Sequence, residues 1–136
     1  MVELRRIVEA LEADPRSRAY FYDRERDCIV EGTTGVFDSE DRHVLDDEEP
    51  IDSSRYILIE RDEYFEYEVM NAFIDTVDDP VLVSKLEAAA NRHGAEKHFR
   101  NTVLGARLEK EWFEFRGERY RNEARHMCEA YGIPFS

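Results

Sequence analysis

Arg116, Arg119 and Glu123 stand where a helix should be apolar. On a wheel of about 100° per residue with Leu108 at zero, Trp112, Phe115, Tyr120, Met127 and Tyr131 fall between about −20° and about 140°. The three charged residues fall at about 80°, about 20° and about 60°, inside the same arc. An earlier segment has a matching anomaly in Glu66, which interrupts the stripe Phe65, Val69, Phe73 and Val77. Charges taken out of water persist only when paired and hydrogen-bonded. Glu66, with Glu60 or Asp62 beside it, is therefore expected to meet Arg116 or Arg119 where two helices meet. Two chemistries remain open for Glu66, Arg116, Arg119 and Glu123. One is an ion-pair network that fixes helix register; the other is a small anion site, since two guanidinium groups in a partly apolar cleft can hold a phosphate or carboxylate bidentately.

The remaining constellations argue against specific catalysis. With 32 acidic residues, adjacent pairs such as Asp46-Asp47 and Asp78-Asp79 follow from composition, and general acid–base chemistry needs a carboxylate whose surroundings raise its pKa. Glu-x-x-His occurs at Glu40 and His43 and again at Glu123 and His126, the spacing used by di-metal carboxylate bundles. The first copy falls in an acidic loop rather than on a helix. His93 and His98 are five apart, which puts them on different sides of a helix. Cys28 and Cys128 are separated by a hundred residues, so neither a disulfide framework nor a cysteine zinc site is encoded. No Gly-rich phosphate loop or nucleophile elbow is present. We assign no catalytic residues, no metal site and no cofactor from the sequence.

Charge is more informative than motif. The chain has 136 residues, 32 Asp plus Glu against 19 Lys plus Arg, and a formal net charge of −13. Residues 1 to 80 carry 24 acids and 9 bases, net −15, while residues 81 to 136 carry 8 acids and 10 bases, net +2. The densest stretch runs from Asp38 to Pro50, where Asp38, Glu40, Asp41, Asp46, Asp47, Glu48 and Glu49 face Arg42 alone. Such a block repels itself and reads as a solvated loop and a candidate acidic interaction surface. It lacks the alternating ligands and mid-loop glycine of a calcium-binding loop. The C-terminal bases Arg92, Lys97, Arg100, Arg107, Lys110, Arg121 and Arg125 could line a nucleic-acid groove, but nearby acids and the N-terminal charge disfavour it.

These residues need elements to position them. Leu4, Ile7, Val8 and Leu11 form an amphipathic helix stopped by Asp14-Pro15. Tyr20-Phe21-Tyr22 and Cys28 to Glu31 form a hairpin around the polar stretch Asp23 to Asp27, and Tyr56-Ile57-Leu58-Ile59 is a further strand. Helices are then predicted from Asp62, from Asp79-Pro80 to Gly94, through Phe99 to Gly105, and from about Arg107 to Tyr131. The expected fold is α+β: one globular domain over residues 1–136, with a small antiparallel sheet of about three strands near the N-terminus packed with a helical C-terminal half of about four helices. No charged-then-apolar leader, lipidation signal or long apolar run is evident, so the expected setting is the reducing cytoplasm, without membrane attachment.

Glu66-Tyr67-Glu68-Val69-Met70-Asn71-Ala72-Phe73-Ile74, Asp78-Asp79-Pro80, Gly94-Ala95, Phe99-Arg100, Trp112-Phe113-Glu114-Phe115-Arg116 and Ala124 resemble a bacterial uncharacterised protein family (UPF, number one-five-eight) of small cytoplasmic proteins. The resemblance covers roughly residues 56 to 132 and, more loosely, Tyr20 to Glu31. The family is more aromatic and basic after Gly94-Ala95, where this chain has Glu96, Lys97 and His98, which weakens a basic site there. The resemblance implies a small soluble domain and brings no catalytic residues.

The leading functional expectation is a non-enzymatic interaction or regulatory module whose acidic surface meets a basic protein partner. One alternative is a nucleic-acid-associated protein using the Arg-rich C-terminal helices; another is a divalent-metal-dependent hydrolase or nuclease using clustered acids. A homodimer is a further expectation, because Tyr20, Tyr22, Tyr64, Tyr67 and Trp112 offer more aromatic surface than a small sheet buries. The contact expected to join the acidic portion to the helical half is Glu66 with Arg116 and Arg119.

Overall fold

The computed structural model describes residues 1–13, 19–33, 36–37, 54–62 and 64–136. Its fold is α+β, with five helices and four strands among the described residues. They group into two compact units, one formed by Met1–Arg61 with Tyr120–Ser136 and the other by Asp62–Arg119.

The first unit contains the sheet. Helix α1 (Leu4–Glu12) buries Ile7, Ala10 and Leu11, an i, i+3, i+4 set that makes one apolar stripe. Strands β1 (Ala19–Asp23), β2 (Cys28–Thr33), β3 (Val36–Phe37) and β4 (Tyr56–Ile59) form an antiparallel sheet in the order β3-β2-β1-β4. The sheet therefore has one strand more than expected. The two residues of β3 are too few to show a period-two pattern in sequence.

Register explains the burial. Phe21 lies opposite Val30 and Leu58, while Tyr22 lies opposite Ile29 and Ile57, so successive residues of β1 supply opposite faces. Phe21, Val30 and Tyr56 form a small core on one face. A parallel bridge joins Val2 to Phe135, and the Val2 N–H donates to the Pro134 carbonyl at 3.2 Å.

The second unit is helical: α2 (Phe65–Ile74), α3 (Pro80–Ala90), α4 (Ala95–Gly105) and the first part of α5 (Glu109–Tyr131). Local chemistry sets most of the helix ends. The Tyr64 N–H donates to Asp62 Oδ1 at 2.8 Å ahead of α2. At α3 the Asp79 side chain accepts from the Val81 N–H at 2.9 Å, with Pro80 at the first helical position. Gly94 has φ of 72° and leads into α4, whereas the left-handed residue after α4 is Arg107, at φ of 60°, not Gly105. Gly132, at φ of 67°, closes α5, and the Ile133 N–H reaches back to the Cys128 carbonyl at 2.8 Å. Val69, Met70, Phe73, Ile74, Leu86, Phe99, Val103 and Trp112 are buried together as this unit's core. Among the described residues no helix is long and apolar enough to cross a membrane.

Candidate functional site

Within the helical unit, Arg116 of α5 donates from Nε to Glu66 Oε1 at 2.8 Å and from Nη2 to Oε2 at 3.3 Å. The arrangement is the two-pronged guanidinium–carboxylate match. Glu66 is buried and the Arg116 side chain is 23% exposed, so the pair is largely shielded from water. Glu66 sits between Phe65 and Val69 on α2, and Arg116 follows Phe115 on α5, which is why two apolar stripes each carry a charge at this contact. The contact lies inside Asp62–Arg119, joining α2 to α5, rather than tying the acidic N-terminal portion to the helical half.

The other two residues of this group occupy different surroundings. Arg119 is exposed, and its guanidinium lies 5.2 Å from the Phe115 ring centroid, a cation–π distance. Glu123 is half-buried in the sheet-containing unit. Tyr131, placed in the same buried arc by the wheel, is 55% exposed. A single wheel assumes one buried face along the whole helix. The 23-residue α5 instead contributes Trp112 to one unit and Tyr120, Ala124, Met127 and Cys128 to the other.

Glu123 lines a groove of about 520 Å³ in the sheet-containing unit, together with Arg24, Leu58, Glu60, His126 and Tyr131. The groove runs between β4, at one end of the strand order, and the C-terminal half of α5. Sequence patterning did not point to it, because its polar members come from a turn, a strand end and a helix that are distant in the chain. No local signal marks Leu58, which sits within the continuous apolar run Tyr56-Ile57-Leu58-Ile59 and is left 40% exposed.

A second buried carboxylate was also missed. Asp23 is fully buried at the end of β1 and accepts from Arg55 Nε and Nη2, both at 3.1 Å, and from the Glu25 N–H at 3.0 Å. Burial alone pushes this carboxyl up, but the hydrogen bonds from Arg55 and from the Arg26 and Glu25 backbone outweigh it and hold it below the usual carboxylate value. Arg55 also meets Glu25 at 3.2 Å and stacks 5.0 Å from the Tyr56 ring centroid. Beside it, the Tyr22 hydroxyl donates to Asp27 Oδ1 at 2.6 Å, and Asp27 adopts φ of 52° to close the hairpin. The signal was the run Asp23 to Asp27, since aspartate bonds its own backbone two residues on in tight turns. Further along, the fully buried Tyr120 accepts from the Arg61 guanidinium through its hydroxyl.

Asp38, Glu40, Asp41, Asp46, Asp47, Glu48 and Glu49 lie outside the described residues, as do His43 and the Asp14-Pro15 stop. His93 and His126 are exposed and His98 is half-buried. Among the described residues no three His, Cys, Asp or Glu side chains gather as a metal ion would require. Cys128 is buried, and burial pushes its thiol up, which suits a small packing residue. Of the aromatics expected at an interface, Tyr22 and Trp112 are buried, while Tyr64 and Tyr67 are 63% and 41% exposed. Comparison of the chain with protein-family models, curated proteins and solved structures gives no match.

Proposed function

We propose that this chain is a non-enzymatic interaction module of the cytoplasm whose acidic N-terminal portion binds a basic protein, and that it belongs with the uncharacterised bacterial family resembled by its segments from residue 56 to 132. The observation that carries the reading is the charge distribution. Residues 1 to 80 hold a net −15 and residues 81 to 136 a net +2, a separation that concentrates the attraction for cations in the N-terminal portion of the sequence. Charge of this kind steers encounter and selects partners more than it supplies raw affinity. The partner's basic patch would meet carboxylates of the N-terminal portion, and binding would weaken as salt shortens the electrostatic range to about 8 Å near physiological ionic strength.

The test is recovery of partners on the immobilised full-length chain at low ionic strength, followed by a salt gradient. Basic proteins that elute between about 0.1 and about 0.3 M salt are the expected result. A bound fraction without basic proteins, or one indifferent to salt, rejects the reading.

A further inference from the structure

The outer edge of β4 is the surface that extends this reading, and the inference below rests on the interaction role just proposed. Because the Arg24 N–H donates to the Arg55 carbonyl at 2.9 Å, Arg24 and Arg55 are a hydrogen-bonded pair of the β1–β4 ladder. Antiparallel ladders alternate, so the register Tyr22 with Ile57 and Tyr20 with Ile59 continues the bonded positions along β4. Leu58 falls between them. Its N–H and C=O therefore point away from β1, into the groove that β4 shares with α5. The Leu58 side chain is 40% exposed and Tyr131, across the groove, is 55% exposed. Among the described residues no strand pairs with this edge, and an apolar residue at the centre of such an edge is what native sheets usually suppress with charge, proline or a covering element.

The charges around that edge select an occupant. Glu60 and Glu123 line the groove against Arg24 and the exposed His126. A second copy of this chain would bring the same two carboxylates to the edge, whereas a basic segment would meet complementary charge. We infer that the β4 edge groove takes an extended basic segment of a partner protein by strand addition, with main-chain hydrogen bonds to Leu58, apolar contact on Leu58 and Tyr131, and Lys or Arg side chains against Glu60 and Glu123. Alternation sets the contacts: side chains of one parity in the added segment share the face of Leu58 and Glu60, which are two residues apart, and those of the other parity lie on the opposite face.

The test uses the full-length chain and three capped heptapeptides: alternating Lys-Val, the same peptide with alternate amides N-methylated, and alternating Glu-Val. Binding is read from amide chemical shifts and from hydrogen exchange at Leu58. The Lys-Val peptide is expected to bind and to slow exchange at Leu58. The N-methylated peptide should bind about tenfold more weakly, the effect of losing roughly two edge hydrogen bonds. The Glu-Val peptide and a Leu58→Lys variant should show a loss of at least that size. Equal binding of the N-methylated peptide, unchanged exchange at Leu58, or protection of Leu58 that grows with chain concentration in the absence of peptide would each overturn the inference, the last by assigning the edge to a homodimer. Basic proteins retained undiminished by the Leu58→Lys chain would remove this groove while leaving the interaction role in place. A native chain that retains none would remove the role itself.

Discussion

Arg116 and Glu66 meet side-on, both guanidinium prongs on both carboxylate oxygens, at 2.8 and 3.3 Å. The contact joins α2 to α5 where Phe65, Val69, Phe73 and Phe115 supply the surrounding apolar surface. A charged pair in such a place is costly to break and cheap to replace. Removing one partner strands the other in a medium that solvates it poorly, whereas exchanging both for apolar groups removes the desolvation cost as well.

Arg116→Ala is accordingly expected to lower stability by about 2–4 kcal/mol, the upper part of that range being limited by the partial exposure of Arg116. The double change Glu66→Leu with Arg116→Met should return to within about 1 kcal/mol of the native chain. Arg119→Ala, which removes only an exposed guanidinium over Phe115, should stay within about 0.5 kcal/mol. Urea unfolding of the four proteins gives the comparison. A double variant as unstable as Arg116→Ala would mean that the charges themselves, not their mutual satisfaction, hold the helices.

Asp23 makes acid sensitivity local. Its carboxyl is held below the usual value in the folded chain, so the folded state takes up this proton less readily than the unfolded state. The contribution of Asp23 is complete above the unfolded value of about 3.9 and is lost as pH falls through the lower folded value. Asp23→Asn should cost about 2–3 kcal/mol at pH 7, because it replaces a charge-assisted double contact to Arg55. The cost should shrink below about pH 4, where the unfolded chain's Asp23 takes up its proton while the folded carboxyl is still ionised. Unfolding free energies of both proteins from pH 7 to pH 3 test this; a difference that stays constant over the range refutes it.

What the sequence conveys follows from the range of each signal. Helix starts are local, and Asp79-Pro80 marks α3 to the residue because a cap and a fixed φ act within one turn. The strand Tyr56–Ile59 is legible for the same reason, as a short β-branched and aromatic run. Glu66 and Arg116 stand out as charges interrupting apolar stripes, a clue that needs only helical periodicity. The Asp23–Arg55 contact spans 32 residues and depends on register between two strands, which no local pattern specifies. The groove at β4 is less legible still, since strand order decides which strand lies at the edge and neither β1 nor β4 encodes that order by itself. Arg119 and Tyr131 went astray because α5 serves two units, and one wheel cannot describe two buried faces.

Arg107 pays for the turn between α4 and α5 with backbone strain. It sits at φ of 60° while the Leu108 N–H bonds the Val103 carbonyl at 3.0 Å, the six-to-one closure usually given to glycine. An L side chain in that region is disfavoured by about 1 kcal/mol or more, part of which glycine returns as extra freedom in the unfolded chain. Arg107 is exposed, so little packing is lost with its side chain. Arg107→Gly should therefore raise stability by about 0.5–1 kcal/mol, with Arg107→Ala close to neutral. Chemical denaturation distinguishes the two; a glycine variant less stable than the alanine variant would contradict the assignment of strain.

Phe73 offers the sharpest contrast between a contact that carries the helical unit and one that decorates it. Its ring lies 5.1 Å from the centroid of Trp112, 5.5 Å from Phe115 and 6.4 Å from Phe99, in tilted and edge-on arrangements that aromatic pairs favour. Truncating it removes a fully enclosed ring and leaves a cavity beside three others, so Phe73→Ala should cost about 3–5 kcal/mol. Tyr67, one helix face away, is 41% exposed and donates through its hydroxyl to Asn91 Oδ1 at 3.0 Å. An exposed hydrogen bond exchanges for one to water, so Tyr67→Phe should cost less than about 0.5 kcal/mol. The chain has a single tryptophan, which makes Trp112 emission a direct report on this cluster. Phe73→Ala should shift the emission to longer wavelength under native conditions as water gains access to the indole, and Tyr67→Phe should leave it in place. Unchanged emission in a folded Phe73→Ala chain would show that Phe99 and Phe115 close over Trp112 without it.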